Sequence, residues 1–296
     1  MVTIRLCYRV VMDAFYRFNA DDGWAIASHI ALSTLMALFP FLILVTAIAG
    51  FIGSQNLADE VARIIIAAWP REVSSQIAGE IHDVLTTPRG GILTVGAVFA
   101  IYFASSGIES LRIGLNRAYG LVEPRSWWLL RLESIGYVLV AAVGLLALSF
   151  LVVLGPLGFQ TALGYAPWLS EIEHHFNIGR FAVASILLVT SLLILHMWLP
   201  CGRRQIDEVW PGILATLGLW LACGYTFGRY LSDFSYTYVN YYAGLASAMM
   251  ALVFLYFIAL IFIYGGELNA AIAREREDPS LPLKGGGKPH PPAPFT

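Results

Sequence analysis

YFASSGIESLRIGLNRAYG, residues Tyr102 to Gly120, begins as a lipid-compatible segment and ends as a polar one. Residues 90–108 carry no Asp, Glu, Lys or Arg; then Glu109, Arg112, Asn116 and Arg117 follow, with no proline to stop a helix. At ~100° per residue, Ser105, Glu109, Arg112 and Asn116 share a stripe roughly 60° wide. Ser106, Ser110 and Arg117 widen it, and Ile108, Leu111, Leu115 and Tyr119 take the opposite arc. Glu109 and Arg112 can pair along such a helix. Two readings are open. Either the helix leaves the bilayer and solvates its end, or the stripe faces the bundle interior and lines a hydrated vestibule.

The rest of the chain supplies the setting. Of its 296 residues 58% are hydrophobic and 13% charged, about half the charged fraction of a soluble domain. The net charge of −2 gives no basis for bulk nucleic-acid binding. Cys7, Cys201 and Cys223 lie far apart without metal-ligand spacing and read as free thiols. Runs 23–58, 90–108, 134–170, 181–202, 209–228 and 234–266 lack Asp, Glu, Lys and Arg. About 20 residues cross a bilayer core, so each run holds one span. The fold class is an all-α integral membrane protein of six transmembrane helices.

Residues 1–22 place Arg5, Arg9, Asp13 and Arg17 among apolar residues, which predicts an amphipathic cytoplasmic helix on the membrane surface rather than a cleavable signal. The membrane domain is 23–278. Within it, 54–90 is predicted as an external amphipathic helical hairpin, with Val73, Ile77, Ile81 and Val84 at helical spacing. Residues 279–296, rich in proline and glycine, are predicted disordered. Placing both termini inside puts thirteen of the eighteen basic residues on the cytoplasmic side. The stretch FSYTYVNYY, Phe234 to Tyr242, then reads as an outer aromatic loop at the interface.

In that topology the cytoplasmic halves of the spans carry a concentration of polar groups. His29, Ser33, Ser105, Glu109, Arg112, Asn116, Arg117, Arg131, Glu267 and Asn269 are candidate vestibule or substrate residues, with Glu133 and His196 nearby in the sequence pattern. This asymmetry favours the vestibule. Arg112 is expected between Glu109 and Glu267, with Gly265 and Gly266 letting the last span approach. Arg125 reads as an ordinary loop residue. Gly218 with Ala222, and Gly224 with Gly228, form small-xxx-small pairs on the fifth span. No catalytic residue, metal site or cofactor is predicted. Glu171, Glu173, His174 and His175 form the one dense ligand-like cluster, and read as a solvated outer loop.

Four segments resemble the YihY/BrkB family of bacterial inner-membrane proteins, formerly labelled ribonuclease BN-like. They are ASHIALSTLMALFPF, ASSGIESLRIGLNRAYG, LPCGRRQIDEVWPGILATLGLW and YGGELNAAIA, similar in order and spacing to the family's S-L-x-P, A-L-N-x-x-Y, L-P…P-G…W and G-A-E-L-N-A patterns. The resemblance spans about residues 10–277. It implies six spans, an inner (plasma) membrane location and a role in the envelope, with lipid or lipopolysaccharide-precursor movement suspected in some members. The expected function is movement of a lipid or amphipathic anion through a polar vestibule open to the cytoplasm, without enzymatic activity. An ion or small-solute pathway and a non-catalytic envelope scaffold are the alternatives. Expected partners are membrane lipids and, through 54–90, envelope proteins, but no nucleic acid.

Overall fold

The computed structural model describes residues 2–51, 93–149, 151, 159, 173–242 and 246–277. Among them are seven long helices and no strand: α1 (Val2–Ala20), α2 (Gly23–Phe51), α3 (Leu93–Ala118), α4 (Trp127–Ser149), α5 (Glu173–Trp198), α6 (Ile206–Tyr242) and α7 (Ala246–Glu277). Four of these, α4 to α7, are long and apolar enough to cross a membrane. The proposed hairpin 54–90, the 279–296 tail and Glu171 lie outside the described residues.

The helix ends follow local chemistry. Asp22 (φ 56°) takes the left-handed conformation between α1 and α2, a region Asp tolerates better than most residues. Its carbonyl accepts the Ile26 N–H at 3.0 Å. Gly23 is required there, because a Cβ would strike the Phe18 ring. The opening stretch needs no proline to stop. Gly120 (φ 67°) donates to the Arg117 carbonyl at 2.8 Å and Leu121 to that of Asn116 at 2.7 Å, the paired bonds of a Schellman cap. At the start of α6 the Glu208 carboxylate accepts the Gln205 N–H at 3.0 Å, half of a capping box. Pro211 has no N–H for the Asp207 carbonyl; Arg276 donates to that oxygen at 3.5 Å.

α2, α3, α6 and α7 form the centre of the bundle, with α4 beside α3, α5 beside α6, and α1 folded against α7. Phe18, Ile30, Leu115, Val209, Phe262 and Ile263 pack at their junction. Small residues set the closest approaches. A Cβ on Gly212 would meet the Gly265 carbonyl, and one on Gly265 would meet Thr216 Oγ1. By contrast, Gly218, Gly224 and Gly228 have no neighbour within 4 Å of an added Cβ. The α6 small-residue pairs therefore do not set a helix approach within the described bundle.

One expectation is corrected. Phe234 to Tyr242 is no loop but the last turns of α6; no glycine or proline interrupts the chain there, so the helix continues. Exposed tryptophans instead mark the other end. Trp24, Trp127, Trp128, Trp198 and Trp210 are all solvent- or lipid-facing and sit at the ends of α2, α4, α5 and α6 that adjoin the 119–126 and 199–205 connections. That is the placement of an aromatic interfacial belt.

Candidate functional site

At this belted end the stripe of α3 turns inward. Ser105, Ser110, Arg112 and Asn116 are buried. The partners of the charged members differ from those expected. Arg112 does not pair with Glu109 or Glu267. Its Nη2 donates to the Leu130 carbonyl at 3.1 Å and to Ser134 Oγ at 2.8 Å, and lies 3.8 Å from the Glu133 carboxylate, all on α4. Glu109 pairs instead with Arg131, which also donates to the Tyr102 carbonyl and lies 3.8 Å from the centroid of the Tyr102 ring. α4 lies against the stripe, so Arg112 and Glu109 of α3 each find their partner on α4.

Arg125 is not a free loop residue. Its guanidinium grips both Glu123 oxygens, at 2.6 and 2.7 Å, and donates to Glu133 at 2.8 Å. These hydrogen bonds raise the Arg125 pKa further above its ordinary value. Burial alone would raise the Glu123 carboxyl; the bonds from Arg125 and Asn116 outweigh it and hold it below the usual carboxylate range. Asn116 donates to Glu123 at 3.0 Å and accepts the Cys201 N–H at 2.7 Å. One side chain thus joins two connections. The cluster holds Arg112, Arg125 and Arg131 against Glu109, Glu123 and Glu133, so its formal charges balance.

A second group lies beside it. Asn269 Oδ1 accepts the Gly212 N–H at 2.6 Å, and its Nδ2 donates to the Tyr119 hydroxyl at 3.4 Å. The Tyr119 hydroxyl in turn lies 3.0 Å from His196 Nδ1, within hydrogen-bonding distance. Arg204 lies over the Tyr119 ring, 3.5 Å from its centroid, and burial lowers its pKa.

The remaining predicted residues are placed apart from these groups. His29 is exposed, with Nε2 3.4 Å from Ser110 Oγ. Ser33 is half-buried. Ser105 bonds back to the Tyr102 carbonyl of its own helix. Arg117 is exposed, 4.0 Å from Asp22. Glu267 is buried, and neither carboxyl oxygen has a hydrogen-bond partner. The charges acting on it come from Asp21, Arg274, Arg17 and Asp13, not from Arg112. Glu173, His174 and His175 begin α5 in exposed positions.

Sequence reading missed Glu123, Arg125, Ser134, Tyr119, Cys201 and Arg204 as members of these networks. A signal existed for Tyr119, which lies in the A-L-N-x-x-Y-like segment. The structure brings all four family-like segments together: His29 lies 3.4 Å from Ser110, Asn116 bonds Cys201, and Asn269 bonds both Tyr119 and Gly212. The sequence matches the family described as Virulence factor BrkB over residues 14–286.

The chain belongs to the BrkB family.

Relatives within reach of this BrkB-family chain carry different names. It is 25% identical over 268 residues to a putative ribonuclease-like protein, YfkH, of Bacillus subtilis, covering 90% of this chain and 96% of that one. A UPF0761 membrane protein of Rhodospirillum centenum is 25% identical over 90% of this chain, and one of Chromohalobacter salexigens is 23% identical over 92%. This chain spans 58% and 65% of the length of those two relatives. No solved structure matches it. Membrane residence is thus common to the family-like relatives and to the long apolar helices of this chain.

Proposed function

We propose that this BrkB-family protein is a six-span inner-membrane protein, α2 to α7 each crossing once, that binds an anionic headgroup at the α3–α4 seam. The ligand is a lipid or other amphipathic anion, and the protein facilitates its movement from the cytoplasmic side. Both termini are cytoplasmic in this reading, which rests on the distribution of basic residues.

One observation carries the proposal. Arg112 is 2% exposed, yet its Nε and Nη1 are buried without a hydrogen-bond partner, and Arg131 Nε is likewise unpaired. A buried donor without an acceptor costs about 1–3 kcal/mol. A phosphate or carboxylate oxygen entering the seam would complete these guanidinium groups. Because the cluster is formally neutral, such a site recognises by geometry rather than by long-range attraction. The ribonuclease-like name belongs to the Bacillus relative. In this chain Glu109, Glu123 and Glu133 are each committed to an arginine, so we read the cluster as non-catalytic.

Native mass spectrometry of the full chain, purified from its membrane, tests the reading. Anionic lipid should remain on the wild type and be lost from Arg112→Gln. Equal retention by both proteins, or no retention by the wild type, refutes the proposal.

A further inference from the structure

Glu267 is a buried ionisable group of α7. It is 1% exposed and neither oxygen meets a donor. Its place on α7 is a boundary. One turn earlier, Ile263 packs against Gly114 of α3 and beside Ile26 and Ile30 of α2. Two turns later, on the same face, Arg274 donates to Asp13 of α1 at 3.0 Å. Glu267 therefore stands where the apolar core gives way to an ionic rim.

A carboxylate sealed in such a place needs a positive partner, since an uncompensated buried charge costs several kcal/mol. Among the described residues none is in contact with it. Arg274 and Arg17 both serve Asp13, at 3.0 and 3.4 Å. A metal cation would need several converging oxygen ligands, and no polar atom reaches either Glu267 oxygen. A proton needs no ligand shell.

Among the charged groups, Asp21 in the turn between α1 and α2 acts most strongly on Glu267. Burial pushes the Asp21 carboxyl up from the usual carboxylate range, against the pull of Arg17, Arg117 and Arg274. The groups facing this corner are Asp13 and Arg17 of α1, Asp21 and Asp22 of the turn, Arg117 and Tyr119 at the end of α3, and Arg274 of α7. α2 faces it with Ile26, Ala27 and Ile30.

We propose that Glu267 is a proton-binding site of the membrane domain. The proton is taken from water and returned to it; no other bond forms or breaks. This proposal does not depend on the headgroup reading, because it concerns a different face of the bundle.

The test uses the full chain in phosphatidylethanolamine–phosphatidylglycerol vesicles. Dicyclohexylcarbodiimide attacks protonated carboxyl groups in apolar surroundings, and peptide mass spectrometry locates the adduct. An adduct on Glu267, formed faster as pH is lowered, is expected. An unlabelled Glu267 while other carboxyls react overturns the proposal, and so does labelling independent of pH.

Discussion

Arg112 Nη2 and Ser134 Oγ meet at 2.8 Å across the α3–α4 seam, both side chains buried. This bond fixes α4 against the polar stripe of α3 and directs the first prediction. Arg112→Ala removes a charge-assisted bond, worth about 1.5–3 kcal/mol, and leaves a void. Thermal unfolding in detergent should show a loss near the upper end of that range. Arg112→Lys should recover part of it.

Arg125→Ala is predicted to be almost as damaging, although the residue lies in a connection. It would release Glu123 and Glu133 together. A double-mutant cycle with Glu123→Ala should show coupling of about 1 kcal/mol or more. Purely additive losses would mean that the grip of Arg125 on Glu123 contributes nothing to stability.

Acid should loosen the same connection. The folded Glu123 carboxyl lies below its unfolded value, so its contribution is fully present above the unfolded carboxylate range, about pH 4.3. It is lost as pH falls through the lower, folded value. The unfolding midpoint measured against pH should fall less steeply in Glu123→Gln than in the wild type below that range.

Glycine substitutions should separate two faces of α6. Gly212→Ala drives a methyl into the Gly265 carbonyl and the Asn269 amide, with an overpacking cost of about 1–3 kcal/mol. Gly228→Ala meets nothing within 4 Å and should be neutral or stabilising by up to about 1 kcal/mol. Unfolding midpoints of the two variants decide the matter. Equal effects would contradict the close α6–α7 approach.

Topology can be checked at the 199–205 connection. Arg203 is exposed. In a cysteine-free background, Arg203→Cys should react with a membrane-impermeant maleimide only when the cytoplasmic face is open to it. Labelling of intact spheroplasts would invert the proposed orientation.

Much of this architecture is legible in the residues, for reasons of scale. Charge-free runs report long apolar helices because the bilayer leaves few alternatives, and the stripe from Ser105 to Asn116 is inward-facing because its period matches the helix. Partner choice is less legible. Glu109 lies three residues from Arg112, yet it is held by Arg131, 22 positions away. Nothing in local spacing tells which neighbouring helix will cover a stripe. Arg125 was obscured for a related reason: its importance comes from Glu133 and Leu199, brought close only by folding. The 234–242 stretch misleads because its aromatic composition suits an interface whether or not the backbone is helical.

α5 has one more consequence. Of its residues only Leu192 and His196, near its end, are fully buried, with Leu193, Leu195 and Met197 packed on the core beside them, whereas most of its earlier residues are exposed. A rod held mainly at one end is a lever. In lipid, changes of tilt cost only fractions of a kcal/mol per Å of thickness mismatch. A change of bilayer thickness that tilted α5 would turn its short arm against Tyr119 and Phe262, which contact His196.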